Sequence, residues 1–263
     1  MGSGPPVVFC HGTPFSSLLW TPFAEALSSD FTVYLWDMPG YGQSSKAAEH
    51  PVDFGVQGEL FGDLLAEWEL DRPDVVAHDF GGAVSLRAHL LHGASFNSLM
   101  LVDVVAIPPT GSPFFKFVQA HHDVLPGLPG YIHSAVVTAY IQAASHRGLR
   151  AEDLSDLLAP WTTDEGRSAF YRQIAQADER YLEEIEPLLG ELDIPVRVVW
   201  GKQDTWIPPE TGRRLCALIP GATLGLVDGA GHLIHYDAPV ALASELRAWL
   251  ALPRHSALRH GQP

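Results

Sequence analysis

Cysteine is scarce in this chain: two residues in 263. Cys10 and Cys216 have no metal-ligand spacing, and Cys10 falls inside an apolar, strand-like run. A disulfide-stapled scaffold is excluded, and two reduced, buried thiols of a cytoplasmic protein are expected. Basic residues are also few, with 16 Lys and Arg against 31 Asp and Glu and a net charge of −15. No basic cluster stands out, so neither nucleic acid nor an anionic membrane surface is an expected partner, and the acidic balance serves solubility. Long hydrophobic runs are missing as well. The best, residues 99–107, is interrupted by Asp103 and is too short to span a bilayer. The first six residues carry neither a charged n-region nor an apolar h-region, so no signal peptide is visible. There is no internal repeat and no low-complexity tract. These absences describe a soluble, cytoplasmic protein.

What is present is apolar residue in quantity, 46% of the chain, enough for a sizeable core in one large α/β domain or a core with an insertion. Short apolar runs at 7–10, 31–36, 75–77, 98–105, 196–200 and 223–227 read as buried strands. Between them lie helical patterns at about 16–27, 53–69, 80–91, 209–219 and 239–250, with Gly93 placed to end the third. This alternation predicts an α/β protein with a mostly parallel sheet flanked by helices on both faces. From 107 to 190 the texture changes. Prolines and glycines crowd 108–130, and helical patterns follow at roughly 132–146, 151–158 and 163–189, with no strand-like run among them. The expected organisation is a core of 1–106 and 191–252, a helical cap of 107–190, and a disordered tail of 253–263 that lacks periodicity.

The chain is organised around Val75-Val76-Ala77-His78-Asp79-Phe80-Gly81-Gly82-Ala83-Val84. An apolar strand runs into a small-x-acid-x-small turn and then a helix, the context that pushes one side chain out above a parallel sheet. Small residues at Ala77 and Gly81 suit so sharp a turn. The residue at its tip, Asp79, carries a carboxylate that is a nucleophile without an activating base. An aspartate capping a helix is the other use of such a position. Asp204, in the turn after the strand at 196–200, and His232, after a glycine-rich turn that follows the last strand, complete an acid–histidine pair further along. Sites in parallel sheets form at the carboxyl ends of strands, so all three can converge. His121, His122 and Asp123 are adjacent in sequence and do not face one ion together, so no metal is assigned.

These motifs together resemble the α/β-hydrolase superfamily over nearly the whole chain. The resemblance rests on His11-Gly12-Thr13-Pro14, Asp37-Met38-Pro39-Gly40-Tyr41-Gly42-Gln43-Ser44, the turn at Asp79, Trp200-Gly201-Lys202-Gln203-Asp204 and Gly231-His232, in that order. No Gly-x-Ser-x-Gly is present, and His78-Asp79-x-Gly-Gly resembles the branch with an aspartate nucleophile, which includes haloalkane dehalogenases and epoxide hydrolases. The resemblance implies that Asp79 attacks an sp³ carbon to form an alkyl ester. His232, oriented by Asp204, then activates water to hydrolyse it. It places the oxyanion hole at the backbone N–H groups of Thr13 and Phe80, and requires no cofactor. Trp161 stands where dehalogenases often carry an aromatic facing the leaving group, although it could equally pack the cap onto the core. For epoxides, a cap phenol would serve the leaving oxygen: Tyr131, Tyr140, Tyr171 and Tyr181 supply the type, with Tyr171 and Tyr181 preferred for their helix flanking Trp161.

Three departures from that branch bear on function. Phe80 replaces the usual Trp after the nucleophile and has no N–H to hold a halide. Neither Phe80 nor Ala83 is the arginine that fluoroacetate-type dehalogenases carry, which disfavours a carboxylate-bearing substrate. Only six residues precede the first strand run, so the two strands that usually come before it are expected to be missing here or to lie upstream. The expected reaction is dehalogenation of a small apolar organic halide with water, slightly ahead of epoxide hydrolysis. A lyase, cyclase or ligand-sensing member, with Asp79 an acid–base group or a relic, is the alternative. Oligomeric state is not legible in the sequence.

Overall fold

Strands form where the chain is apolar on two successive residues, because both faces of the sheet are covered. In the computed structural model, which describes residues 1–252, these are β1 (Pro6–Cys10), β2 (Thr32–Leu35), β3 (Asp74–His78), β4 (Ser98–Val102), β5 (Val196–Gly201) and β6 (Thr223–Val227). The expected disordered tail, 253–263, lies outside the described residues. The six strands pair in parallel in the order β2-β1-β3-β4-β5-β6. Alternate side chains enter separate cores. Val7, Phe9, Val76, Met100 and Val199 face one side, and Val8, Cys10, Val75, Ala77, Leu99 and Val198 the other. Burying each such aliphatic side chain contributes about 1.5–3 kcal/mol.

The first face is covered by α1 (Thr21–Leu27) and α11 (Pro239–Leu250), whose Phe23, Leu27, Leu242 and Leu246 meet it. The second is covered by α2 (Phe54–Glu67), α3 (Phe80–Leu91) and α9 (Pro209–Leu218). Each helix starts where a local donor problem is solved. The Asp53 carboxylate accepts from the N–H groups of Gly55 and Val56 at 2.9 and 3.1 Å, a cap worth about 1 kcal/mol. At the far end of α3, Gly93 takes φ +72°, the left-handed conformation expected of it. Central strand β3 therefore leads directly into α3 with Asp79 as the only connecting residue.

Between β4 and β5 the chain makes only helical elements: α4 (Pro113–Ala120), α5 (Gly130–Ala143), α6 (Ala151–Leu158), α7 (Asp164–Gln176) and the short α8 (Arg180–Glu183), with 3₁₀ turns among them. Two expectations need correction. The proline- and glycine-rich stretch 108–130 contains α4, because Ser112 caps it at 3.2 Å through the Phe115 N–H and Pro113 occupies its first turn, where no N–H is needed. The single helix expected over 163–189 is broken. Ala177 leaves helical geometry at ψ 75°, the Asp178 side chain accepts from the Arg180 N–H at 2.9 Å, and Pro187 then limits the chain to a 3₁₀ turn. Both cysteines are free, but only Cys10 is buried as expected, Cys216 on α9 being half-buried. No helix among the described residues is long and apolar enough to cross a membrane.

Candidate active site

The parallel register brings four turns to one edge: those after β1 (Thr13), β3 (Asp79), β5 (Asp204) and β6 (His232). Asp79 sits at φ 48°, ψ −119°, a conformation that a non-glycine residue holds only when its surroundings compel it. The compulsion is visible. A Cβ on Gly81 would lie 2.6 Å from the His11 carbonyl oxygen and 2.7 Å from that of Cys10, so glycine is what lets α3 close on β1. Gly82 is likewise pressed on Val104, and Gly12 on the Asp79 side chain itself. The Asp79 carbonyl accepts from the Gly82 and Val105 N–H groups at 2.9 and 3.0 Å, which fixes the turn from both sides.

Both oxygens of Asp79 are spoken for. Oδ1 accepts from the Thr13 N–H at 2.6 Å, and Oδ2 lies 3.4 Å from His232 Nε2. Phe80 begins α3, so its own N–H has no acceptor within the helix and adds to the positive end of the helix dipole. On its other side, His232 Nδ1 donates to Asp204 Oδ2 at 2.9 Å. Asp204 Oδ1 is held in turn by the N–H groups of Trp206 and Ile207 at 2.8 and 2.9 Å. His232 is thus a buried imidazole between two carboxylates. Burial opposes its charge, but the charge and hydrogen bond of Asp204, reinforced by Asp79, raise its pKa well above the ordinary value.

Neighbouring groups keep further charge away. His78 donates from Nε2 to the His232 carbonyl at 3.1 Å and packs 4.8 Å from its ring, while His235 packs 4.7 Å from His78. Burial and the neighbouring histidines hold His78 well below its ordinary pKa, and burial foremost brings His235 down to about 3. Asp103, which appears in the sequence only as the charge interrupting an apolar run, is fully buried at the end of β4 and accepts from the Gly201 N–H at 2.8 Å. Burial first and Asp204 second push its pKa well above the usual carboxylate range. The other two motifs are scaffolding. His11 Nε2 accepts from the Met38 N–H at 2.9 Å, and Asp37 ties Ser17 and Gln43 at 2.8 and 2.7 Å.

Asp79 opens onto a pocket walled by Phe54, Phe80, Val105, Phe115, Tyr140 and Trp206, with Thr13, Thr110 and Ser112 as its aliphatic hydroxyls. No Lys, Arg or His among the described residues lines it. The three side chains expected to serve the leaving group are elsewhere. Trp161 is buried and donates its indole N–H to the Pro14 carbonyl at 2.8 Å, so it packs the insertion onto the core. Tyr171 places its hydroxyl 3.0 Å from His133 Nδ1. Tyr181 lies against the guanidinium of Arg87, which also bonds its carbonyl at 2.6 Å and pairs with Glu184 at 2.7 Å. In their place the cavity has Tyr140 from α5 and Trp206, which stack at 4.2 Å, and Trp206 in turn stacks 5.0 Å from His232. Neither the Tyr140 O–H nor the Trp206 indole N–H has an acceptor among the described residues. Trp206 follows Asp204 by two positions, and that proximity was the signal available in the sequence.

An acid–histidine–acid line at the carboxyl edge of a parallel sheet, with a nucleophile elbow at its centre, defines an α/β-hydrolase fold protein. A sequence model of the alpha/beta hydrolase fold matches residues 5–239, and the chain belongs to that family. A solved alpha/beta hydrolase fold protein from Burkholderia ambifaria is 47% identical, with a TM-score of 0.91 over 94% of this chain and 91% of that one. Haloalkane dehalogenase 2 of Mycobacterium tuberculosis is 25% identical over 93% of this chain and 87% of its own length. The haloalkane dehalogenase DatA from Agrobacterium tumefaciens C58, 22% identical, shares the fold with a TM-score of 0.80 over 95% of this chain and 90% of that one.

Proposed function

We propose that this protein is a hydrolase that works through a covalent alkyl ester on Asp79 and acts on a small, neutral, apolar electrophile, an alkyl halide first. The observation that carries the reading is the placement of Asp79: Oδ1 in the grip of the Thr13 N–H, Oδ2 toward His232 and the cavity. Oδ2 attacks the substrate carbon, the carbon–halogen bond breaks, and Oδ1 becomes the carbonyl oxygen of the ester. Esterification removes the charge of Asp79, one of the two that favour imidazolium, so His232 becomes free to act as a base. Its Nε2 takes a proton from water as the water oxygen attacks Cγ. The oxyanion forms on Oδ1 at the Thr13 and Phe80 N–H groups, and collapse releases the alcohol, which takes the proton from His232. Base assistance of this kind contributes roughly 10²–10⁴-fold.

The lining supports a neutral substrate, since no cation among the described residues faces the cavity to pair with a carboxylate group. The identity to a haloalkane dehalogenase, at 25%, leans the same way. Epoxide hydrolysis is the second reading, and Tyr140 favours it. Burial and the charge of Asp79 keep that phenol protonated well above its ordinary pKa, which suits a donor to an opening epoxide oxygen. The insertion 107–190 acts as the cap of the site in both. The test is mass spectrometry of the His232→Gln variant after incubation with alkyl halides and epoxides. An adduct on the Asp79 peptide is expected, without the halogen for a halide and with the whole molecule for an epoxide. Ligand binding without any adduct would defeat the covalent reading and leave a lyase or a ligand-sensing protein.

A further inference from the structure

We propose that Asp237 is a positioning residue for His232 and that it couples the seating of the helical insertion to hydrolysis of the Asp79 ester. The inference rests on the covalent reading above, and nothing in that reaction has yet used Asp237. It closes the short helix α10 (Ile234–Asp237), five residues after His232, and is 5% exposed. Its carboxylate accepts four hydrogen bonds. Oδ2 takes the Gly231 N–H at 2.7 Å and the His146 N–H at 2.8 Å, and Oδ1 takes the Ser145 hydroxyl at 2.6 Å and the Arg147 N–H at 3.0 Å. One of these donors is the N–H of Gly231, the residue immediately before the catalytic histidine. The other three belong to the turn between α5 and α6 of the insertion.

Two further contacts make the two loops a single unit. The Leu233 N–H donates to the Ala144 carbonyl at 3.0 Å, and Arg147 Nε donates to the Gly229 carbonyl at 2.9 Å. At Gly231 a side chain would lie 2.9 Å from both the Ala144 carbonyl oxygen and the His146 nitrogen, so the approach leaves no slack. His232 is therefore gripped at its imidazole by Asp204, while the residue before it is gripped by Asp237. Only the second grip includes the insertion. Ester formation needs no base. Hydrolysis needs Nε2 held over the water, and a shift of about 1 Å in such a group costs on the order of a hundredfold. Loss of Asp237 should then separate the two steps.

The experiment compares wild type, Asp237→Asn and His232→Gln by rapid-quench mass spectrometry with a substrate that labels Asp79, alongside the low-field proton signal of His232 Nδ1–H. The amide of Asp237→Asn keeps the shape but turns an acceptor into a donor facing N–H groups. Ester hydrolysis is expected to slow by about ten- to a hundredfold and ester formation by less than about threefold, so that ester accumulates with His232 intact. The Nδ1–H signal should broaden. Unchanged hydrolysis, or equal slowing of both steps, would overturn the proposal. If Asp237→Asn does not fold, Ser145→Ala removes one donor from the insertion's side and should slow hydrolysis alone by about two- to fivefold; equal rates in that variant would overturn it. Absence of adduct in His232→Gln defeats the covalent reading instead, and a sharp Nδ1–H signal in Asp237→Asn would then dismiss the positioning role independently.

Discussion

Replacing Asp204 with asparagine tests the acid–histidine pair by a route that the hydrogen bonds dictate. Oδ1 of Asp204 accepts from two backbone N–H groups, those of Trp206 and Ile207. An asparagine must keep its oxygen there, which turns its NH₂ group toward His232 Nδ1, 2.9 Å away in the wild type. Nδ1 then becomes an acceptor and the ring proton moves to Nε2, the atom that takes a proton from water in the proposed reaction. Recovering the working tautomer requires the amide to flip and set its NH₂ against two buried N–H groups. Each buried donor left unsatisfied costs about 1–3 kcal/mol. The total of about 2–6 kcal/mol corresponds to a loss of about 30-fold to 10⁴-fold, at roughly 1.4 kcal/mol per tenfold. The loss should fall on ester hydrolysis, with ester formation nearly intact, and single-turnover mass spectrometry separates the two. Asp204→Ala, which leaves the tautomer free, should be no worse. Asp204→Asn hydrolysing its ester within a factor of about three of wild type would refute the tautomer argument.

Other outcomes follow from the same contacts. With its folded pKa raised, His232 adds stability that is full below about pH 6.5 and fades as pH rises through that folded pKa. The thermal stability lead of wild type over Asp79→Asn should therefore shrink as pH rises above about 6.5, and a lead that grew would contradict the ion-pair assignment. Gly81→Ala places a Cβ 2.6 Å from the His11 carbonyl oxygen and should cost about 1–3 kcal/mol in urea unfolding, against an unchanged midpoint if the turn were slack. Tyr140→Phe should slow ester formation from epoxides by about ten- to a hundredfold, whereas Tyr171→Phe should not, because its hydroxyl is engaged by His133. The reverse order would return the donor role to α7.

Much of the fold was legible because it depends on local chemistry. Runs such as Val7 to Cys10 declare strands buried on both faces, and the small residues around Asp79 declare a turn that no side chain could occupy. Asp79, Asp204 and His232 could be read together because each follows a strand, and a parallel sheet delivers every strand end to one edge. Asp103 shows the limit. The same residue that reads as a break in an apolar run is a fully buried acid whose pKa burial and Asp204 push upward, and only its surroundings decide that.

The helical insertion was the harder part for the same reason. Helix α4 hides in a proline-rich stretch because Ser112 and Pro113 happen to suit a helix start, and the break at Ala177 comes from one side chain competing for a neighbouring N–H. The sequence by itself determined the sheet, the turn at Asp79 and the order of Asp79, Asp204 and His232 at strand ends, because strand burial and turn geometry act over a few adjacent residues. It also supplied the residue types for a leaving-group wall without saying which would face it. Tertiary structure alone turned Tyr140 and Trp206 inward and spent Trp161, Tyr171 and Tyr181 on packing. It also brought Asp237 under the histidine loop, since helix orientation is fixed by contacts between segments some ninety residues apart.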